Sequence, residues 1–223
     1  MENVEKRYDT AVETARDAIE ELRLAAYAKG FEDARRKLMV QAPVEKTAQE
    51  RRDEIVEQAK ADLENLKQRT FYGELRYSYR NIVCNVEFVI NKVKRTVVAL
   101  LKSVGRGVVR SKGIAKAAPD DCFNVHIGKA IALHRALGLE VPDEYLNAPQ
   151  PTEVRVGDVV GSFEINEVAD YYGKIVDVNE DKVFYEDGGF DYLPTVTEGI
   201  DEAGEESFLK IIDDSRTEVG EWL

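Results

Sequence analysis

The pattern of apolar positions predicts that the chain begins with a long helix. Over residues 3–38 apolar side chains recur at alternating spacings of three and four, which is the helical period. The seam they form consists of Tyr8, Ala11, Ala15, Ala18, Leu22 and Ala25. Its alanines would let two helices approach closely. The pattern stops at Pro43, because proline lacks the N–H donor that a continuing helix needs.

A second helix is predicted after this proline. Thr47 and Glu50 have the spacing of a capping box at a helix start. An apolar seam at heptad spacing follows, formed by Val56, Ala59, Leu63 and Leu66. Residues 1–70 are therefore predicted to form a helical hairpin or a coiled-coil stalk. The two seams fit packing within one chain and packing between two copies equally well.

From residue 71 the apolar period changes to two, which is typical of β-strands. Three segments rich in Val and Ile predict an antiparallel meander: residues 81–90, 95–103 and 107–118. A helix from about residue 123 to 137 should follow, with Asp120 or Asp121 as its N-cap and Gly138 as its stop.

The last third of the chain predicts a separate small β domain. "LEVPDEYLNAPQPTE" contains three prolines and indicates a linker. Beyond it, "VGDVV" and "GKIVDV" stand among Gly and Asp turns, a pattern similar to small SH3-like barrels. The predicted fold class is thus α+β, divided into a helical segment 1–70, a sheet-and-helix core 71–138, a linker 139–152 and an acidic β domain 153–223.

Charge is distributed unevenly along the chain, whose total is −12. Residues 71–150 carry 12 Lys and Arg against 7 Asp and Glu, whereas residues 151–223 carry 5 against 20. A basic central segment beside an acidic C-terminal segment favours a small anionic ligand over a long nucleic acid, because the acidic segment would repel the nucleic acid. A simpler interpretation is that the acidic end neutralises the middle or maintains solubility.

Targeting signals and disulfides are not expected. The first ten residues are charged and lack the apolar segment of a signal peptide. The longest apolar runs, such as "TVVALL", are too short to cross a bilayer. With Cys84 and Cys122 as its only cysteines, the chain fits a reducing compartment and is expected to be intracellular, without membrane partners.

Few residues in the sequence have the chemistry and the spacing that catalysis requires. His126 and His134 lie eight residues apart on the predicted helix, about 12 Å at 1.5 Å per residue, and so cannot share a metal. Cys122 and His126 could pair as nucleophile and base, although a buried Cys beside a partly exposed His is the ordinary explanation. No Walker, HExxH, GxSxG or GxGxxG motif occurs. We therefore expect no catalysis, no metal and no cofactor.

Binding of an anion is better supported, because a helix N-terminus presents unpaired N–H groups and partial positive charge. Basic residues on the preceding strand, an aromatic ring for stacking and a short amide surround that N-terminus. The predicted ligand-binding residues are Arg110, Lys112, Lys116, Asp121, Phe123, Asn124, Gly128 and Lys129. Two ordinary roles compete with this prediction: Phe123 as a core anchor, and the strand lysines as protection of a sheet edge.

The stretch from Gly113 to Gly138 matches GIAKxxPxDxFxxxIGKAIALxRALG. This pattern resembles small proteins of phages that infect Firmicutes, in the group that contains the first-described Thoeris anti-defence proteins. The resemblance covers about residues 45–150, and it leaves the first helix and the acidic β domain without a counterpart.

The resemblance implies a phage anti-defence protein of the host cytoplasm. Such proteins sequester cyclic ADP-ribose isomers, and some hold cyclic oligonucleotides, without cleaving them. It also implies a homo-oligomer formed through the helices. Two alternatives remain open at this stage: an acidic inhibitor or DNA mimic acting on a host defence protein, and a phage structural protein that uses the helices as an assembly stalk.

Overall fold

The computed structural model describes residues 2–41, 46–163, 169–201, 203–205 and 207–216, and its elements confirm the mixed α+β class. The chain folds as two compact units, residues 1–45 and 46–223. The predicted turn at Pro43 lies outside the described residues. Within the described ranges, no helix is both long enough and apolar enough to span a membrane.

The first unit contains a single helix, α1 (Glu2–Gln41). Every side chain from residue 3 to residue 37 is exposed, including the apolar ones of the predicted seam. Tyr8, for example, is 68% exposed and Leu22 is 71% exposed. Most helical stability in proteins comes from packing an apolar face, and among the described residues of this unit no second element packs on the seam.

The second unit opens with α2 (Ala48–Asn65), and the predicted capping box is confirmed. The Thr47 hydroxyl accepts from the Glu50 N–H at 3.1 Å, and the Glu50 carboxylate accepts from the Thr47 N–H at 2.8 Å. Ala59 of the α2 seam is fully buried in a cluster with Ile127 and Tyr145. The seam of α2 is therefore used within the chain, which groups α2 with the sheet rather than with α1.

An antiparallel meander forms the centre of the second unit, with its strands in sequence order. The three predicted strands are confirmed, and two shorter strands precede them. The five are β1 (Gln68–Arg69), β2 (Leu75–Tyr79), β3 (Ile82–Asn91), β4 (Thr96–Ser103) and β5 (Val109–Lys116).

The helix α3 (Val125–Leu137) packs on the inner face of this sheet. Its N-cap is Asn124, which corrects the predicted cap at Asp120 or Asp121, while Gly138 ends the helix at φ 73° as predicted. A Cβ added to Gly113 of β5 would lie 2.0 Å from the Ala132 carbonyl oxygen. Only glycine therefore allows β5 and α3 to approach this closely.

A β-bulge changes the predicted arrangement of basic residues on β5. Leu101 pairs with Ser111, but Lys102 pairs with Val109, so that Arg110 is the extra residue. On a regular strand the even-numbered Arg110, Lys112 and Lys116 would share one face, and the bulge interrupts that alternation at Arg110.

A short helix, α4 (Asp143–Leu146), leads to a second antiparallel sheet. Its strand order is β10-β6-β7-β8-β9, and a short helix, α5, precedes β10. These elements are β6 (Val159–Phe163), β7 (Ala169–Val178), β8 (Lys182–Tyr185), β9 (Phe190–Tyr192), α5 (Leu193–Thr197) and β10 (Lys210–Asp213). Among the described residues the two edge strands do not pair with each other, so the predicted SH3-like barrel is not confirmed.

Candidate functional site

Two cavities adjoin at the end of β5, and both are lined by Lys116 and Ala117. The smaller one, of about 80 Å³, lies at the N-terminus of α3. The larger one, of about 650 Å³, lies between the β3–β4 turn and the segment that follows β5. According to their volumes, we call the smaller one the closed corner and the larger one the open cavity.

The closed corner collects most of the predicted site. Five of the eight predicted residues line it, namely Lys116, Asp121, Phe123, Asn124 and Gly128. Its volume of about 80 Å³ corresponds to a few water molecules, at about 30 Å³ each. Pockets for drug-sized ligands have volumes of about 300–1,000 Å³. The predicted residues thus come together around a space that is too small for a nucleotide.

The N–H groups at the start of α3 are bonded to protein atoms. The Val125 N–H donates to the Ser215 hydroxyl at 2.7 Å. The Asn124 side-chain oxygen accepts from the N–H groups of His126, at 2.9 Å, and Ile127, at 3.2 Å. The Gly128 N–H donates to the Asn124 carbonyl at 2.9 Å. Three of the N–H groups that a helix start leaves unpaired, those of Val125, His126 and Ile127, are therefore satisfied without a phosphate, and the Gly128 bond is the first one within the helix.

The carboxylate of Asp214 lies beside this helix start, where a phosphate was predicted. It accepts two bonds from the Arg52 guanidinium, at 2.6 and 2.9 Å, and one from the Asn124 amide at 2.9 Å. Burial alone raises the pKa of Asp214, but the bonds from Arg52 and Asn124 hold that pKa below its ordinary value. The anion at α3 is thus supplied by the protein itself.

The end of the acidic region fixes this arrangement through its backbone. The Phe123 N–H donates to the Ile212 carbonyl at 2.9 Å, and the Asp214 N–H donates to the Phe123 carbonyl at 3.2 Å. The Asp213 carboxylate accepts from the Ser215 N–H at 2.8 Å. The segment around β10 is consequently bonded directly to the start of α3.

Phe123 and Gly128 have packing roles in the closed corner. Phe123 is 3% exposed and belongs to the cluster that contains Val97 and Leu133, so no face of its ring is open to a base. A Cβ added to Gly128 would lie 2.7 Å from a methyl group of Val97. Gly128 therefore lets α3 approach the sheet closely. The prediction was that it would let a ligand approach the helix backbone.

The remaining three predicted residues line neither cavity. The Lys129 ammonium lies 5.6 Å from the centre of the Phe88 ring, at cation–π distance. Arg110 and Lys112 are exposed on β5. Lys112 lies opposite Leu100 on the outer face of the sheet.

The open cavity is basic and partly apolar. Lys94, Arg95 and Lys116 supply its charge. Its other lining residues are Val93, Thr96, Ala117, Ala118 and Pro119. The structure describes all eight, and none of them carries a carboxylate.

Arg95 occupies a fixed position in the wall of the open cavity. Its side chain is buried, and its guanidinium donates to the carbonyls of Pro119, at 3.0 Å, and Asp121. Burial lowers the pKa of Arg95, but an arginine stays charged in proteins. Lys94 and Lys116, in contrast, are exposed at the rim. The cavity therefore combines one held positive charge with two that can move toward a ligand.

Sequence reasoning missed Lys94, Arg95 and Thr96, although the signal was present. "NKVKRT" joins two predicted strands of an antiparallel meander. In that meander the start of β4 must lie beside the end of β5, and Thr96 indeed pairs with Lys116. The hairpin register alone would have brought these residues to Lys116.

The described residues offer little catalytic chemistry. Cys122 precedes the N-cap of α3, so it does not share a helix with His126 as the predicted pair required. Burial raises the pKa of the Cys122 thiol, and burial together with Lys60 and Lys129 lowers the pKa of His126. In the part of the chain that the structure describes, no group of three or more His, Cys, Asp or Glu side chains could hold a metal ion.

No family model matches the chain, and no curated protein or solved structure does either. The functional argument therefore depends on the residues of the open cavity.

Proposed function

We propose that the protein binds a small anionic nucleotide in the open cavity and sequesters it without cleaving it. The observation that carries this proposal is a space of about 650 Å³ lined by three cationic side chains and no carboxylate. Ligand pockets have volumes of about 300–1,000 Å³, so the cavity has the size for a nucleotide.

Each part of the lining has a role in this binding. Lys94 and Lys116 at the rim donate charge-assisted hydrogen bonds to phosphate oxygens, which are among the strong ones. Arg95 is held by two backbone carbonyls. Because its side chain is already fixed, it supplies positive charge without a loss of conformational entropy on binding. Val93 and Pro119 give apolar contact to a sugar or a base.

The same lining supports binding without reaction. General acid–base catalysis needs a group that can exchange a proton near neutral pH, such as His or a carboxylate. The eight described lining residues include neither His nor a carboxylate, and Thr96 carries their single hydroxyl. A bound nucleotide would meet cations and hydrocarbon, but no histidine or carboxylate that could activate a nucleophile.

The resemblance of residues 113–138 to Thoeris anti-defence proteins suggests which nucleotide is bound. It favours a cyclic ADP-ribose isomer or a cyclic oligonucleotide, held in the host cytoplasm so that the immune signal is lost. The exposed apolar seam of α1 supports the accompanying proposal of a homo-oligomer formed through this helix. The proposed protein is therefore a non-catalytic inhibitor of nucleotide-based immunity.

Isothermal titration calorimetry with cyclic ADP-ribose tests the cavity. We expect Lys116→Ala and Lys94→Ala each to weaken binding about tenfold or more, because each removes a charge-assisted bond to phosphate. Lys129→Ala is the matched control: it removes the same charge at a half-exposed position outside the cavity, and affinity should not change. Mass spectrometry of the ligand released by heat should show it intact.

Two results would contradict the proposal. If both cavity variants bind as tightly as the unaltered protein, the open cavity is not the site. If the released ligand is cleaved, the protein is an enzyme.

A further inference from the structure

One side of α1 carries an apolar stripe on which no other element of its unit packs among the described residues. The members of this front stripe recur at spacings of four and three, which keeps them on one side of a helix. They are Tyr8, Val12, Ala15, Ile19, Leu22 and Ala26. Ile19 is 66% exposed and Leu22 is 71% exposed. An exposed apolar surface of this extent is typical of a protein–protein contact.

The apolar surface changes sides near residue 24. From Leu22 to Leu24 the helix turns by about 200°, at 3.6 residues per turn, so a second stripe lies on the opposite side. It consists of Leu24, Tyr27 and Phe31. The positions that continue the front stripe beyond Ala26 are charged, namely Lys29, Asp33 and Arg36. The front stripe is therefore apolar only in the first 26 residues.

We infer that the front stripe packs against the front stripe of a second copy, with the two α1 helices antiparallel. This inference rests on the homo-oligomer proposed above and adds its orientation. In an antiparallel pair the apolar parts of the two stripes cover each other, and the charged continuation of each lies at or beyond the end of the partner helix. In a parallel pair Lys29, Asp33 and Arg36 would each face their own counterpart inside the contact. Like charges opposed across an interface are costly.

The two flanks of the front stripe favour the same orientation. One flank carries Asp9, Arg16 and Arg23, and the other carries the alanines of the seam, namely Ala11, Ala18 and Ala25. The two-fold axis of an antiparallel pair is perpendicular to the helices, so each flank faces the same flank of the second copy. The charged flanks then meet each other, and the alanines let the helices approach closely. In a parallel pair the charges would face alanines.

The charges also select a register for the antiparallel pair. Asp9 can meet either arginine of the second copy, but pairing it with Arg23 would set Arg16 beside its own counterpart. Pairing Asp9 with Arg16 brings no like charges together, and each contact occurs twice. In this register the large side chains of Tyr8 and Ile19 from different copies face each other.

The partners of this register are available for pairing. Asp9 and Arg16 form no ion pair with another residue that the structure describes. Arg23 does bond to Glu20 of its own helix, at 2.8 Å. Both side chains of that pair are more than half exposed, and such pairs contribute little to stability. The charge argument therefore depends on Asp9 and Arg16.

A spin label on Lys29→Cys of the full chain tests the orientation. The antiparallel pair separates the two labelled positions by about 45 Å along the helices, at 1.5 Å per residue. A parallel pair would bring them to about 10 Å, the distance between packed helices. Double electron–electron resonance distinguishes the two distances. Cys84 and Cys122 are buried, so the unaltered protein treated with the label provides the background.

Substitutions on opposite sides of α1 test the contact itself by sedimentation equilibrium. Ile19→Glu should weaken dimerisation at least tenfold, because it places a carboxylate in the apolar contact. Leu24→Glu is the matched control, since Leu24 is similarly exposed, at 59%, on the other side of the helix. Asp9→Arg should weaken the dimer several-fold, and Asp9→Arg combined with Arg16→Asp should restore it, because the swap forms the same pair again.

The possible failures differ in what they overturn. A short label distance, or a charge swap that does not restore the dimer, would overturn the antiparallel pairing and leave a homo-oligomer through α1 in place. Normal dimerisation of Ile19→Glu, or a monomeric unaltered protein, would overturn both. Nucleotide affinity is a separate measurement, because the open cavity belongs to the other unit.

Discussion

The closed corner and the open cavity share Lys116 but differ in how the chain balances their positive charge. In the closed corner the Arg52 guanidinium is bonded twice to the Asp214 carboxylate. In the open cavity three cations line the space, and none of the eight described lining residues is acidic. A cluster of basic residues therefore indicates a ligand only where the fold does not itself provide the anion.

Burial explains this difference. The Arg52 side chain is 2% exposed, and a buried charge must be paired and hydrogen-bonded to be tolerated. Lys94 and Lys116 are exposed, so water solvates their ammonium groups when no ligand is bound. The charges of the closed corner thus contribute to folding, and those of Lys94 and Lys116 in the open cavity are available for binding.

The largest effect should come from breaking the pair in the closed corner. Arg52→Ala leaves the Asp214 carboxylate buried without its partner, which costs about 3–5 kcal/mol in comparable cases. Urea unfolding at neutral pH would measure the loss. Arg51→Ala, at the exposed neighbouring position, is the control and should change the free energy of unfolding by less than about 0.5 kcal/mol.

The pH dependence gives the same pair a second test. The pKa of Asp214 is lower in the folded chain than its ordinary value of 3.8. Its contribution to stability is therefore present above that value and is lost as the pH falls through the folded pKa. Arg52→Ala should remove this acid-dependent loss. Equal stability of Arg52→Ala and Arg51→Ala would show that the pair does not hold the corner together.

A smaller effect is expected from Gly128→Ala, which distinguishes packing from ligand approach. The added Cβ would lie 2.7 Å from a Val97 methyl group, and overpacking a core costs about 1–3 kcal/mol. The better helix propensity of alanine offsets up to about 1 kcal/mol of this. We expect a net loss of up to about 2 kcal/mol in urea unfolding, with affinity for cyclic ADP-ribose unchanged.

Gly105→Ala is the matched control for this substitution, because an added Cβ there meets nothing within 4 Å. Its stability should stay close to that of the unaltered protein. If Gly128→Ala reduced nucleotide affinity while stability was retained, the ligand would have to bind at the start of α3, as the sequence predicted.

Much of the fold could be predicted because its signals are local. The period-two segments gave three strands of the meander, Thr47 and Glu50 marked the start of α2, and Gly138 marked the end of α3. Barrel closure could not be predicted, since it depends on whether the edge strands β9 and β10 meet. Short strands with Gly turns look alike in open and closed sheets.

The candidate site was predictable only where its contacts are near in sequence. Hairpin register would have placed Lys94, Arg95 and Thr96 beside Lys116. The bonds from Arg52 and Asn124 to Asp214, however, span 162 and 90 residues. The net charge of residues 151–223 also gave no sign that Asp214 is used inside the core. The sequence indicated that the start of α3 would have an anion beside it. It could not show that this anion is the Asp214 carboxylate.

The smallest effect concerns Lys129, and it completes the contrast between the two cavities. Its ammonium lies 5.6 Å from the centre of the Phe88 ring, and such a contact contributes about 0.5–1 kcal/mol at exposed sites. Lys129→Ala should therefore lower the free energy of unfolding by about that amount and leave nucleotide affinity unchanged. Lys116→Ala should do the reverse, with stability unchanged and affinity about tenfold lower. If Lys129→Ala instead reduced affinity as Lys116→Ala does, the ligand would have to reach the α3 side of the sheet, and the closed corner would have to open to admit it.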